Sequence, residues 1–258
     1  MNDATTSTMP VLGEREHQEL EGAVALALEL AAAGGATAAA ADASLGLGLS
    51  VEVRMGELET VEHHRDRNLV IVAHIGERRG RAATTDLSRP AIEETARAAL
   101  EIARHTEPDP CAGLPDPELL AWDPPALDLF HPWPLETGEA VELALRCEAA
   151  ALGADPRIRN SDGATITTGQ AVHCLGNSHG LLVSASGTRH SLSCTPVAED
   201  ASGMQRDFWF SLERVPSALE PPEEIGRRAA ERAVARLGGR RLATTTVPVV
   251  FENRVATS

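Results

Sequence analysis

Residues Leu45–Arg54 read LGLGLSVEVR, and this alternation decides the fold class. Leu45, Leu47, Leu49, Val51 and Val53 recur at every second position, so they share one face of a strand. Gly46 and Gly48 fall together on the other face. There they mark a close backbone approach or a bulge rather than a phosphate cradle. Just upstream, Thr37–Ser44 reads as a strand of small residues. Downstream, Met55-Gly56 makes a turn, Leu58–His63 reads as a strand, and Leu69–Ile75 is an apolar run. Gly80–Thr85 completes a hairpin around Gly76–Arg79.

Helices flank these strands. Glu14–Ala33 carries Leu20, Val24, Leu28 and Ala31 on one face and stops at Gly34-Gly35. A second helix starts after Ser88 as N-cap, with Pro90 in the first turn and Ile92, Ala96, Ala99 and Ile102–Ala103 as its buried stripe. Thr137–Leu152 and Pro222–Leu237 are further helices. Between them Arg157–Cys194 is strand-rich, broken by Gly163, Gly169, Gly176, Gly180 and Gly187, and another strand starts at Met204. Strands and helices alternate without strict βαβ order. The fold class is therefore α+β, with layered mixed or antiparallel sheets and packed helices.

The expected organisation is a disordered tail over 1–13, an α+β subdomain over 14–106, a Pro-rich linker over 107–136 and a second α+β subdomain over 137–240. Trp122, Leu127, Phe130 and Trp133 are expected to anchor the linker. Residues 241–258 read as the stub of a further domain, because VPVVF at Val247–Phe251 has a buried-strand pattern and needs a neighbour to pair with. The chain is thus expected to be a fragment, truncated before a second large domain.

Aromatics make up only 3% of the chain and Tyr is absent, so the core must come from Ala, Leu, Val and Ile. The net charge of −15 argues against a nucleic-acid partner. All 23 basic residues are Arg, which reads as a compositional bias. No apolar run is long enough to cross a bilayer and the N-terminus does not read as a signal peptide, so no membrane partner and a cytoplasmic location are expected. Cys111, Cys147, Cys174 and Cys194 are widely spaced without CxxC and read as buried thiols in a reducing compartment. No GxGxxG or Walker loop is present.

Several segments, in order, carry a resemblance: VEVRMGELETVE, RRGRAATTDLS, EPDPCAGL, HPW, DPRIRNSDGATI, GNSHG, TRHSLSC and GMQRDFW. Each is weak alone. Together they resemble the PmbA (TldE) branch of the TldD/PmbA peptidase family, from about Val51 to Phe251, over its N-terminal α+β portion. The resemblance implies a bacterial cytoplasmic metalloprotease family that acts in a heteromer on extended or leader peptides. TldD-type subunits carry a zinc-binding His-Glu-x-x-x-His segment; PmbA-type subunits lack it and pair with the zinc subunit. No cofactor is expected in this chain, and zinc is expected in a TldD-type partner.

The histidines agree with that division. None of the nine is followed by Glu and then by a second His four or five residues on. In VEHHRD, Val61–Asp66, His63 and His64 point to opposite faces if the backbone is a strand, and their place is read as a strand end. His190 and Cys194 lie about 13 Å apart along a strand at ~3.3 Å per residue, too far to share an ion. A Ser–His dyad from Ser191 or Ser193 has no orienting acid. His190 and Arg189 are therefore read as hydrogen-bonding in a sheet or at a domain seam. The cluster Asp155, Arg157, Asn160, Ser161 and Asp162 reads as a turn network or as a peptide- or partner-facing loop. Arg206–Asp207 before Phe208, Trp209 and Phe210 reads as an interface anchor or as core packing.

No catalytic or metal residue is assigned. The candidate peptide- or partner-contacting residues are Arg54, Asp86, Asn160, Asn177, Arg189, His190, Arg206 and Asp207. The function expected is that of a subunit without its own zinc motif in a metallopeptidase complex, inactive alone. The alternatives are a non-enzymatic peptide- or partner-binding module, or a metal hydrolase using His63, His64 or His190.

Overall fold

The computed structural model describes residues 9–253 and 256. The elements run α1 (Glu14–Ala33), β1 (Ala38–Arg54), β2 (Glu57–Ile75), β3 (Arg78–Thr84), α2 (Arg89–His105), α3 (Thr137–Ala154), β4 (Ile158–Asn177), β5 (Leu182–Asp200), β6 (Gly203–Arg206), β7 (Trp209–Glu213) and α4 (Pro222–Ala235). The strands form one antiparallel sheet in the order β3-β2-β1-β4-β5-β6, and β7 also pairs with β5. The α+β class with packed helices follows directly.

The strands are longer than the sequence reading had them. Thr37–Ser44 and Leu45–Arg54 merge into β1, and VEHHRD joins two expected strands into β2. His63 and His64 thus sit mid-strand, not at a strand end. The reverse happens after Met204. The chain breaks at Asp207–Phe208 into β6 and β7, which pair with successive stretches of the same β5 edge. Asp207 sets the break: its carboxylate accepts the Phe208 N–H (2.8 Å) and faces Arg232 and Arg236 of α4.

A strand of twenty residues spans about 65 Å at ~3.3 Å per residue, whereas an eighteen-residue helix covers about 27 Å. Two helix pairs are therefore needed along one face. Helices α1 and α2 cover Ala41, Ala43, Leu45 and Leu47 of β1 with Leu69, Ile71 and Val172. Helices α3 and α4 cover Leu49, Val51 and Val53 with Ile166, Leu192 and Cys194. The expected halves at 14–106 and 137–240 meet in this shared sheet, where β1 pairs with β4 from Ala40↔Asn177 to Val53↔Ala164. The core is Ala, Leu, Val and Ile, as the shortage of aromatics dictates. The tightest helix contacts need glycine: a Cβ on Gly80 of β3 would lie 1.9 Å from the Ala99 carbonyl oxygen of α2.

Three expectations are corrected. Residues 1–8 of the expected tail lie outside the described residues, but Met9 and Leu12 are buried. The Leu12 N–H donates to Gln170 Oε1 (2.9 Å), and Gln170 Nε2 donates to the Pro10 carbonyl (2.6 Å), which docks this segment on the sheet. In the linker, Phe130 and Trp133 pack on the core while Trp122 and Leu127 stay exposed. The prolines there favour local turns, and the Trp122 indole N–H is satisfied by Pro117 next door (2.9 Å). Val247–Phe251 is exposed and pairs with no strand among the described residues. Finally, Cys147, Cys174 and Cys194 are buried but Cys111, in the linker, is exposed. A hydrogen bond to Cys194 and burial push the Cys147 thiol up, and burial pushes Cys174 up to about 11, so neither is a thiolate nucleophile near neutral pH.

Candidate functional site

The face of the sheet turned away from the helices holds the site. Register builds it row by row. Gly48 of β1 lies opposite His64 of β2 and Gly169 of β4, and Gly169 lies opposite Arg189 of β5. In the next row Gly46 lies opposite Asp66 and Ala171, and Ala171 opposite Gly187. Four strands at about 4.8 Å spacing make this floor roughly 14 Å wide. The result is a trough of about 470 Å³, with His64 on one side, Arg189 and Arg214 on the other, and His173 of β4 one row beyond the floor.

One of the floor glycines makes room for a side chain. A Cβ on Gly48 would come 2.0 Å from His64 Cε1, so the imidazole rests on the bare backbone. A Cβ on Gly187 would come 3.4 Å from Arg214 Nη1. That same Nη1 donates to the Thr188 carbonyl (3.1 Å). No Asp or Glu lines the trough. Among the described residues neither Arg189 nor Arg214 forms an ion pair with a carboxylate.

His63 is directed to the helix side, opposite Leu49, while His64 is on the open face. The two cannot ligate one ion. Among the described residues no group of three or more His, Cys, Asp or Glu could hold a metal.

His190 belongs to a different place. It is fully buried on the helix side, in the polar seam between the two helix pairs. Its Nε2–H donates to the His131 carbonyl (3.0 Å), the Thr168 hydroxyl donates to Nδ1 (2.7 Å), and Trp133 packs edge-on at 5.6 Å. Both ring nitrogens are used, and the linker is pinned to β5. Burial lowers the His190 pKa, and burial with the nearby Arg79 charge lowers that of His74. With folded values below the unfolded ~6.5, the unfolded chain binds more protons as pH drops. Stability is complete above about pH 6.5 and falls below it, by up to about 1.4 kcal/mol per pH unit per histidine. The urea midpoint should therefore decline between pH 7.5 and 5, less steeply in His190→Gln. A midpoint that rises over that range would contradict the assignment.

The other candidates scatter. Arg54 donates to the Ser161 carbonyl (3.2 Å) and lies 3.9 Å from Glu59. Asp86 accepts the Ser88 N–H (2.8 Å) at the start of α2. Asn160 accepts the Ser161 N–H (2.8 Å), and Asn177 accepts the His179 N–H (3.0 Å) in the β4–β5 turn. Arg206 pairs with Asp162 (2.6 Å), and Asp207 faces α4. Trp209 is covered by Arg228 and Arg232 at 4.7 and 5.5 Å from the ring. Among the candidates, Arg189 alone lines the trough. His64 as a trough wall, His173 and Arg214 were not foreseen. The signal that pointed there was the pair Gly46 and Gly48 on one strand face.

With the geometry in place, the relatives can be set beside it. Residues 44–103 match the PmbA/TldA metallopeptidase domain 1, and residues 130–237 match the PmbA/TldA metallopeptidase central domain. The chain is 48% identical over 204 residues to Metalloprotease PmbA of Escherichia coli O157:H7, which covers 79% of this chain and 45% of that protein. The chain belongs to the PmbA/TldD family. A Metalloprotease PmbA homolog of Haemophilus influenzae is 42% identical over the same share of this chain. The chain spans about half the length of these curated relatives. In fold it is similar to a protein of Bacteroides thetaiotaomicron described as a candidate modulator of DNA gyrase (TM-score 0.79, 21% identity, 90% of this chain and 52% of that one). It is also similar to TldE from Thermococcus kodakarensis (TM-score 0.63, 17% identity, 84% and 47%). The sheet and its two helix pairs are thus a PmbA/TldD-type N-terminal portion. No helix among the described residues is long and apolar enough to cross a membrane.

Proposed function

We propose that this chain is a PmbA/TldE-type subunit of a cytoplasmic metallopeptidase complex, shaping the chamber in which extended or leader peptides are held. What supports the reading is the 48% identity to a protein named a metalloprotease, in a chain whose described residues offer no set of metal donors. In this reading the zinc sits in a TldD-type partner carrying His-Glu-x-x-x-His. There it would polarise the scissile carbonyl and activate water. This chain contributes binding surface.

The test is a cleavage assay on an unstructured peptide, with this chain alone, with its TldD-type partner alone, and with both. The expected result is no cleavage by this chain, cleavage by the pair, loss on chelation and recovery with zinc. Cleavage by this chain alone that survives chelation would overturn the proposal. A second reading, a peptide-binding module with no part in catalysis, is supported by a trough with a glycine floor and two arginines at its side. It predicts peptide binding with cleavage by the partner unaffected by this chain.

A further inference from the structure

We propose that the trough binds an extended peptide through a carboxylate of that peptide, held by Arg189 and Arg214. The proposal rests on the reading above that the chain handles peptides, and it names what the peptide must carry. Three observations lead to it.

The first is charge. The chain has 38 Asp and Glu against 23 Arg, yet none of the acids lines the trough. Asp66 stands one row along, opposite Gly46, outside the lining. Arg189 and Arg214 both line the trough on the β5 side; Glu213 joins them in the adjoining pocket, but among the described residues neither arginine forms an ion pair with a carboxylate. A guanidinium presents a planar fork of donors that fits a carboxylate, and charge-assisted bonds of this kind are the strong ones.

The second is the floor. Glycine in mid-strand weakens a sheet, so it needs a reason. Gly80 and Gly226 have one, since a Cβ at either would strike a neighbouring helix backbone. Gly46 and Gly169 have none within the fold. A Cβ at Gly169 would come no nearer than 3.6 Å to the Leu47 carbonyl oxygen, and at Gly46 no nearer than 4.0 Å to that of Gln170. Both distances are ordinary contact, so alanine would fit at either position. What the missing side chains leave is open space on the trough floor.

The third is size. A volume of about 470 Å³ on a floor four strands wide lies within the usual range of ligand sites. That range admits a few extended residues and is generous for a lone small anion.

The experiment is fluorescence anisotropy of the full chain with four dye-labelled hexapeptides: one with Glu and one with Gln at the centre, each with a free or an amidated C-terminus. The Gln peptide with an amidated end carries no carboxylate and is expected to bind at least about tenfold more weakly than the rest. The amidated Glu peptide and the free-acid Gln peptide separate a side-chain carboxylate from a terminal one as the anchor. Arg189→Gln with Arg214→Gln should weaken the carboxylate-bearing peptides by about tenfold or more. It should leave the carboxylate-free peptide unchanged. Gly46→Leu, which fills the floor on β1, two strands away from β5 and Arg189, should abolish binding of all four, with circular dichroism confirming the fold. Equal affinity for the carboxylate-free peptide, equal affinity in the folded variants, or no peptide binding at all would overturn the proposal. This assay uses no partner and no zinc, so its failure is distinct from failure of the peptidase reading. Cleavage by the assembled pair with arginine-independent binding sinks the trough alone. Carboxylate-dependent binding without cleavage by the pair sinks the peptidase reading alone.

Discussion

Gly226→Ala is expected to destabilise the chain by about 2–4 kcal/mol, although alanine is the better helix former. Two effects of opposite sign compete. Helix propensity favours alanine over glycine by about 1 kcal/mol in a helix interior. Packing opposes it: a Cβ on Gly226 in α4 would lie 2.0 Å from the Cys147 carbonyl oxygen and 3.0 Å from the Ala151 nitrogen, both backbone atoms of α3. Backbone cannot rotate aside as a side chain can, so the helices must separate. They would then open the cluster around Ile225, Ala229, Ala144 and Leu192. Overpacking of this kind costs about 1–3 kcal/mol or more, and lost burial adds to it. Gly22 is the control. It is an interior residue of α1 with nothing within 4 Å of a built Cβ, so Gly22→Ala should stabilise by about 0.5–1 kcal/mol. Urea unfolding of both variants checks the pair. The packing account fails if Gly226→Ala is as stable as the parent.

Glu148→Ala should cost about 2–4 kcal/mol, a large effect for a residue that does not line the trough. The carboxylate is fully buried on α3 and accepts the Met55 N–H (2.9 Å) and the Gly56 N–H (2.8 Å). Those residues form the two-residue turn between β1 and β2, with φ of 52° at Met55 and 80° at Gly56. Both angles are the left-handed values such a hairpin turn requires. Glycine adopts them freely and methionine does not. The buried carboxylate holds the turn in spite of Met55, and each hydrogen bond to a charged acceptor contributes about 1.5–3 kcal/mol, offset in part by desolvation of the carboxylate. Met55→Asn suits the turn better, so it should recover part of the loss in the Glu148→Ala background. Denaturant midpoints of the two single variants and the double variant test this. Strictly additive effects would mean that Glu148 acts without the turn.

The helices were legible because their signals are local. The Gly34-Gly35 stop and the N-cap at Ser88 put α1 and the start of α2 where the structure has them. The strands of the core were legible wherever one face is covered, since covering imposes alternation. VEHHRD was misread for the same reason. At Val61–Asp66 β3 has not yet begun to pair with β2, whose pairs start at Leu69↔Thr84. Exposure there imposes no alternation, and a polar run inside a strand looks like its end. His190 was read as a sheet or seam residue, and its two hydrogen bonds place it in the seam. The trough was only half legible. Gly46 and Gly48 announced that something comes close, but what comes close to Gly48 is His64, sixteen positions on, through a register that no local pattern encodes. Arg214 was harder still. It reaches the trough from the end of β7, and nothing in its neighbours' types signals that.

At the centre stands the proposal that this chain is the zinc-free subunit of a peptidase complex. Native mass spectrometry of the protein drawn from its own cells tests it most directly, because chain length, partner and metal are read together. The account predicts a complex with a second subunit carrying His-Glu-x-x-x-His and one zinc assigned to that subunit. A complex-free chain, or zinc bound to this chain in the absence of any such partner, would contradict it.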